Sequence, residues 1–155
     1  MKDLDKRAKE IIEQIRYITI ASVTEDGMPW NSPVFAAYDK DYNFYFGTHT
    51  GSQKAKNIKN NPNVFIAIYD STVPPGTGEG VYIQAAVEQI NDLDEIKRLY
   101  HEILMPRHDN HFWDIEALSG NGPIRLYKAI PKKAWMNDDG RKDGHYIDIR
   151  TVITL

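Results

Sequence analysis

The chain contains no cysteine among its 155 residues. This excludes disulfides, thiolate nucleophiles, and zinc or iron–sulfur centres held by Cys. It agrees with a reducing compartment, so a cytoplasmic location is the expectation. No block of Lys and Arg occurs and the formal net charge is −3, so nucleic acid is not an expected partner. No apolar run is long enough to cross a bilayer, and no membrane association is expected. The opening stretch MKDLDKRAKEII is charged and lacks the apolar centre of a signal peptide. There is no internal repeat and no low-complexity tract. Hydrophobic residues make up 41% and charged residues 26%, the balance of an ordinary globular protein. The length fits a single domain over 1–155, enough to bury about 70% of the surface of its unfolded chain.

Hydrophobic spacing then assigns the elements. Leu4, Ala8, Ile11, Ile12 and Ile15 recur at helical intervals behind Asp3 and Asp5. The β-branched run 17–24 reads as a strand, Glu25-Asp26-Gly27 as a turn, and 29–39 as the return strand. A third strand covers 44–48, a short helix 52–60, and a nearly all-apolar, buried strand 64–70. The stretch 71–80 holds two prolines and three glycines and reads as a flexible loop. A long strand follows over 81–90. A helix capped by Asn91-Asp92 then carries Leu93, Ile96, Leu99, Tyr100, Ile103 and Leu104 inward and is limited by Pro106. Residues 108–121 read as irregular, 124–135 as a strand interrupted near Pro131, 137–144 as a polar turn, and 146–155 as a last strand. The sum is a mainly β protein of six or seven antiparallel strands with two or three peripheral helices. Successive hairpins favour a β-barrel over a parallel α/β sheet.

The segment THTGSQKAKNIKNNPNVFIAIY, residues 48–69, carries the most chemistry. Strand gives way to the polar turn Thr48-His49-Thr50-Gly51, and Ser52 stands where the helix begins. First-turn N–H groups of a helix are unpaired and attract anions. A Ser hydroxyl and the Lys54 ammonium beside them would complete a phosphate site. An ordinary Ser N-cap on a solvated helix explains the same residues on local chemistry alone. His101, His108 and His111 do not have the i, i+4 spacing of a helical zinc site, and no metal site is expected.

Three segments in this order resemble the pyridoxamine 5′-phosphate oxidase-like superfamily of FMN-binding split β-barrels: IASVTEDGMPWNSPVF, FYFGTHTGSQKAKNIKNNPNVFIAIYD and VYIQAAVEQINDLDEIKRLY. The resemblance spans roughly residues 18–135 and is closest to the short general-stress-type flavoproteins. It implies a split barrel that binds FMN, with the phosphate at Thr48, His49, Ser52, Gln53 and Lys54. The flavin ring would lie along Asn31, Ser32, Pro33 and Val34. It implies a homodimer with each flavin at the subunit interface, where an aromatic such as Trp135 reaches the partner's cofactor. The implied activity is an oxidoreductase acting on a small molecule, with a nicotinamide as a possible electron donor. A non-catalytic flavin- or haem-binding sensor and a deazaflavin-dependent reductase are alternatives on the same barrel. Pro33 removes one N–H from its strand, which should therefore be an edge or a bulge.

Several positions depart from the parent oxidases. Ser32 and Gln53 stand where those enzymes carry arginines, and Ala37 where they carry a lysine that binds the substrate phosphate. Their Tyr-x-x-x-Arg-x-x-x-Ser helix pattern has no match in Leu99-Ile103-Arg107 or Tyr100-Leu104-His108, and the chain ends IDIRTVITL instead of in an Arg-Leu-x-Pro motif. Loss of buried phosphate-binding cations argues against pyridoxamine phosphate oxidation as the reaction. Phe112 and Trp113, set in a polar stretch, read as cover for a pocket mouth or a subunit contact.

Overall fold

The computed structural model describes residues 2–155. The chain runs α1 (Leu4–Gln14), β1 (Tyr17–Val23), β2 (Pro29–Phe35), β3 (Ala37–Tyr38), β4 (Phe44–His49), α2 (Gln53–Asn60), β5 (Asn63–Tyr69), β6 (Gly80–Ile90) and α3 (Leu93–Leu99). A π turn over Tyr100–Leu104, the short α4 (Met105–Arg107), β7 (Ile124–Lys142) and β8 (His145–Ile153) complete it. The eight strands form one antiparallel sheet in the order β2-β1-β5-β6-β7-β4-β3, with β8 on the free stretch of β7. The ends of that order, β2 and β3, do not pair with each other, so the barrel is split.

Alternation fills the barrel. Ile18 and Ile20 of β1, Phe44 and Phe46 of β4, Ile66 and Ile68 of β5 and Val81 and Ile83 of β6 point inward and are almost fully buried. Burying each such side chain stabilises by about 1.5–3 kcal/mol relative to leaving it exposed. Helix α1, capped by the Asp3 carboxylate accepting from Lys6 N–H at 3.1 Å, adds Ala8, Ile11 and Ile12 to the same core. A second, smaller core lies under α3, where Ile96, Leu99, Leu104 and Leu118 pack on Tyr45, Ile90 and Leu126.

Four elements differ from the sequence reading. The stretch read as one strand over 29–39 breaks at Ala36 into β2 and β3, which raises the strand count to eight. Strand β5 is not buried throughout: Phe65 and Tyr69 are exposed while Val64, Ile66 and Ile68 face the core, because an apolar run conceals the period-two alternation. The helix does not stop short of Pro106. It opens into a π turn, with Met105 N–H donating to the Tyr100 carbonyl, which relieves the press of the Pro106 ring on the preceding turn and lets the helix reach Arg107.

Strand β7 is interrupted near Pro131, as the sequence reading has it. Pro131 pairs with Ala85 and Lys133 with Gln84, leaving Lys132 as the extra residue of a bulge. The strand then continues through the polar stretch read as a turn, and the hairpin to β8 closes only at Asp143-Gly144, with φ of 51° and 78°. Two positive φ values in a two-residue loop match the right-handed strand twist, and Asp-Gly accepts them. Among the described residues no helix is long and apolar enough to cross a membrane.

Candidate functional site

At the split in the barrel, β2 and β4 face each other across a cavity of about 700 Å³. One wall is β2, with Pro33, Val34 and Phe35, joined by Tyr17 of β1; the other is β4, with Gly47, Thr48 and His49. Lys54 of α2 lies at one end, and His108, Asn110, His111, Phe112 and Trp113 close the other side. As Pro33 requires, β2 is an edge strand, so the backbone groups along its outer side have no strand partner. The lining contains no Asp or Glu.

Chemistry at the Lys54 end suits an anion. Ser52 is the N-cap of α2, its Oγ accepting from Ala55 N–H at 3.1 Å and lying 3.0 Å from Thr48 Oγ1. The N–H groups of Gln53 and Lys54, in the first turn, are the ones a helix cannot pair internally. The Lys54 ammonium has no hydrogen bond or ion pair among the described residues. It is half-buried, and burial lowers its pKa from the ordinary lysine value. A half-buried cation without a counter-charge among the described residues, beside helix N–H groups, has the chemistry to hold an anionic oxygen.

The opposite side is aromatic. The His108 ring is wedged between Phe35, with centroids 4.2 Å apart, and Phe112, at 4.4 Å. Its Nδ1 lies 2.7 Å from the Leu104 carbonyl, which can only accept, so Nδ1 carries the hydrogen. Its Nε2 is buried and has no partner. Burial pushes the ring below the ordinary histidine pKa; the Leu104 contact opposes this, and the nearby Arg107 and Arg16 charges add to it. The residues on either side are pinned. Arg107 donates to the carbonyls of Ile12, Glu13 and Ile15 at the end of α1 at 2.7–3.1 Å, and Asp109 pairs with Arg16. Gly47 makes room for the cover: a Cβ there would lie 2.6 Å from the Trp113 ring and 3.2 Å from Phe112.

Of the residues singled out from the sequence, Pro33, Val34, Thr48, His49 and Lys54 line this one cavity, and Ser52 contacts it through Thr48. Gln53 does not line the cavity; its Nε2 donates to Asn57 Oδ1 at 2.8 Å. Asn31 is exposed on β2, and Ser32 accepts from Trp30 Nε1 at 3.1 Å; neither lines the cavity. Trp135 is on the outer sheet face, with its ring 6.4 Å from Phe65 and Lys133 above it at 5.2 Å. His101 does not join His108 and His111, and among the described residues no three His, Asp or Glu side chains converge as a metal site. Tyr17, Phe35, Gly47 and Asn110 were not anticipated. The signal for part of this wall is the aromatic pair Phe112-Trp113 inside an otherwise polar segment.

The family described as pyridoxamine 5′-phosphate oxidase matches residues 4–138. No curated protein matches the sequence. Among solved structures, the chain is similar to a proposed 5-nitroimidazole antibiotic resistance protein from Bacteroides thetaiotaomicron, at 18% identity over 88% of this chain and 84% of that one, with a TM-score of 0.70. A FAD-binding protein from Mesorhizobium loti matches at 16% identity over 88% and 94%, TM-score 0.65. A heme binding protein from Mycobacterium smegmatis matches at 14% over 97% of this chain but only 59% of its own length, TM-score 0.67. At these identities the likeness is one of fold.

Proposed function

The chain belongs to the pyridoxamine 5′-phosphate oxidase family, and from that premise we propose that it is an FMN-binding oxidoreductase acting on a small molecule. One observation carries the reading. A single cavity combines a half-buried, unpartnered Lys54 beside a helix N-terminus with aromatic walls and no carboxylate. A planar ring bearing a phosphate fits such a site at both ends. Lys54, the Thr48 and Ser52 hydroxyls, and the backbone N–H groups of Gln53 and Lys54 hold the phosphate. Val34 and Phe35 give the ring an apolar bed, and the open edge of β2 offers backbone donors and acceptors. Bound flavin supplies hydride exchange with a substrate or a nicotinamide donor. The chain's own part is to orient the ring and, through Phe112 and Trp113, to exclude water from it. Without the cations that the parent oxidases use, pyridoxamine phosphate is not the substrate we assign.

The working unit is a homodimer. The outer face of the sheet carries Tyr17, Phe65, Tyr69, Trp135 and Val152 in exposed or half-exposed positions, an apolar surface suited to a second copy. Tyr17 and Pro33 belong to both this face and the cavity lining, so a copy docked there would cover the cavity mouth. On this reading Trp135 and Asn31 are subunit-contact residues.

The test is the absorbance spectrum and mass of whatever the purified protein releases. FMN at about one per chain supports the reading. A protein that carries no flavin and takes up none on addition overturns it. A haem or deazaflavin spectrum instead moves the chain to the corresponding alternative.

A further inference from the structure

His108 is built in a way that packing does not require. A single acceptor, the Leu104 carbonyl, receives both the His108 backbone N–H at 3.0 Å and the ring Nδ1–H at 2.7 Å. This locks the ring in one orientation and one tautomer, with the lone pair on Nε2. The residue is 7% exposed, and the flanking Arg107 and Asp109 are fixed to α1 and to Arg16. A phenylalanine would fill the space between Phe35 and Phe112 equally well. The imidazole instead leaves Nε2 without a partner in the wall of the cavity. Buried acceptors are normally satisfied, and an exception calls for a partner. Phe112 lies against the His108 ring and Trp113 against Phe112 in the same wall, and Trp113 is 41% exposed.

We propose that His108 Nε2 accepts a hydrogen bond from a ring N–H of the molecule held in the cavity, and so selects planar heteroaromatic ligands with an N–H on the ring edge. This rests on the flavin reading above. Oxidised flavin has one ring N–H, the imide at N3, so that is the donor His108 takes. The cavity then reads its ligand at two places: an anion at Lys54 and an N–H at His108. Ring shape alone is not sufficient. The Phe112 ring turns aside as Nε2 acquires its partner.

The experiment compares FMN with 3-methyl-FMN, which lacks only that N–H, on the full chain stripped of any flavin. Wild type is expected to bind FMN about tenfold more tightly than the methylated probe, the discrimination of one hydrogen bond to a buried acceptor. His108→Phe should bring the two affinities together, and His108→Gln, which restores an acceptor, should restore the difference. In wild type, the ¹⁵N resonance of Nε2 should shift on adding FMN and stay in place with 3-methyl-FMN, a readout independent of how the variants fold. Equal affinity of wild type for both probes overturns the proposal and leaves the flavin reading standing. Full discrimination retained in His108→Phe also overturns it and gives the N–H to a β2 carbonyl. Uptake of neither probe removes the flavin reading and this proposal together.

Discussion

Asp39 and Lys54 are both ionisable groups held partly out of water, and the chain treats them in opposite ways. The Asp39 carboxylate accepts from the Asp41 N–H at 2.9 Å, from Asn43 N–H and Nδ2 at 3.0 Å each, and from the Tyr45 hydroxyl at 2.8 Å. Burial alone would raise its pKa, but the donors from Asn43, Tyr45 and Asp41 outweigh it and hold the carboxyl below the usual range. Lys54 has burial and nothing to offset it, and on the far side of the same cavity His108 Nε2 is equally unpaired. A partly buried charge whose hydrogen bonds are complete is part of the architecture: Asp39 knits the turn between β3 and β4. A group left incomplete in a cavity marks where an outside molecule completes it.

That contrast can be broken at several points. Asp39→Ala should have the largest effect on the fold. It strips four donors of a charged acceptor and leaves the Tyr45 hydroxyl buried without a partner, so urea unfolding should show a loss of about 2–3 kcal/mol. A change below about 0.5 kcal/mol would mean the turn holds without it. Lys54→Ala should leave stability within about 0.5 kcal/mol of wild type while weakening FMN by about ten- to a hundredfold, the worth of a charge-assisted hydrogen bond. Equal FMN occupancy in that variant and wild type would falsify the anion-site assignment.

Gly47→Ala probes the cover. Gly47 is fixed by its pairing with Leu126 of β7, so the half-exposed Trp113 ring should swing outward at a cost of about 1 kcal/mol. Its fluorescence should shift to the red, and an unchanged emission maximum would show that the ring does not rest on Gly47. The smallest effect is the pH dependence of His108. Its folded pKa is depressed below the ordinary 6.5, so the unfolded chain binds the proton first. The contribution is complete above that value and is lost as pH falls from there through the folded pKa. His108→Phe should therefore flatten the stability profile on the acid side of neutrality, and a variant that loses stability there as steeply as wild type would assign that slope to other groups.

The same contrast explains what was legible in the sequence. Thr48, Ser52 and Lys54 could be found because one strand–turn–helix unit carries them within seven residues, with composition and geometry agreeing locally. Asp26-Gly27 announced its hairpin for the same reason. The other side of the cavity could not be read this way. Tyr17, Phe35 and His108 come from three separate segments, and each alone has an ordinary explanation as packing; only the Phe112-Trp113 pair in a polar stretch hinted at a pocket mouth. The β7–β8 ribbon was missed because Asn137–Lys142 is polar on both faces, and the Asp143-Gly144 turn was lost in a longer polar run. A turn signal identifies a hairpin only when flanking alternation supports it. Pro106 was read as the limit of its helix, which a π turn carries on to Arg107, while the interruption read near Pro131 is the bulge at Lys132.

The position of β4 also sets an order of events during synthesis. Its two partners in the finished sheet are the two-residue β3 and β7, with Phe44 opposite Ala129 and His49 opposite Ile124. Strands β1, β2, β5 and β6 can pair among themselves as soon as residue 90 has left the ribosome. The Thr48 wall has no long strand to lie against until the first half of β7 follows. The aromatic cover at Phe112 and Trp113 also emerges in that interval. A nascent chain therefore completes a half-barrel before it completes the cavity, and whatever the protein binds there is captured only once the first half of β7 has emerged, by a chain already committed to its fold.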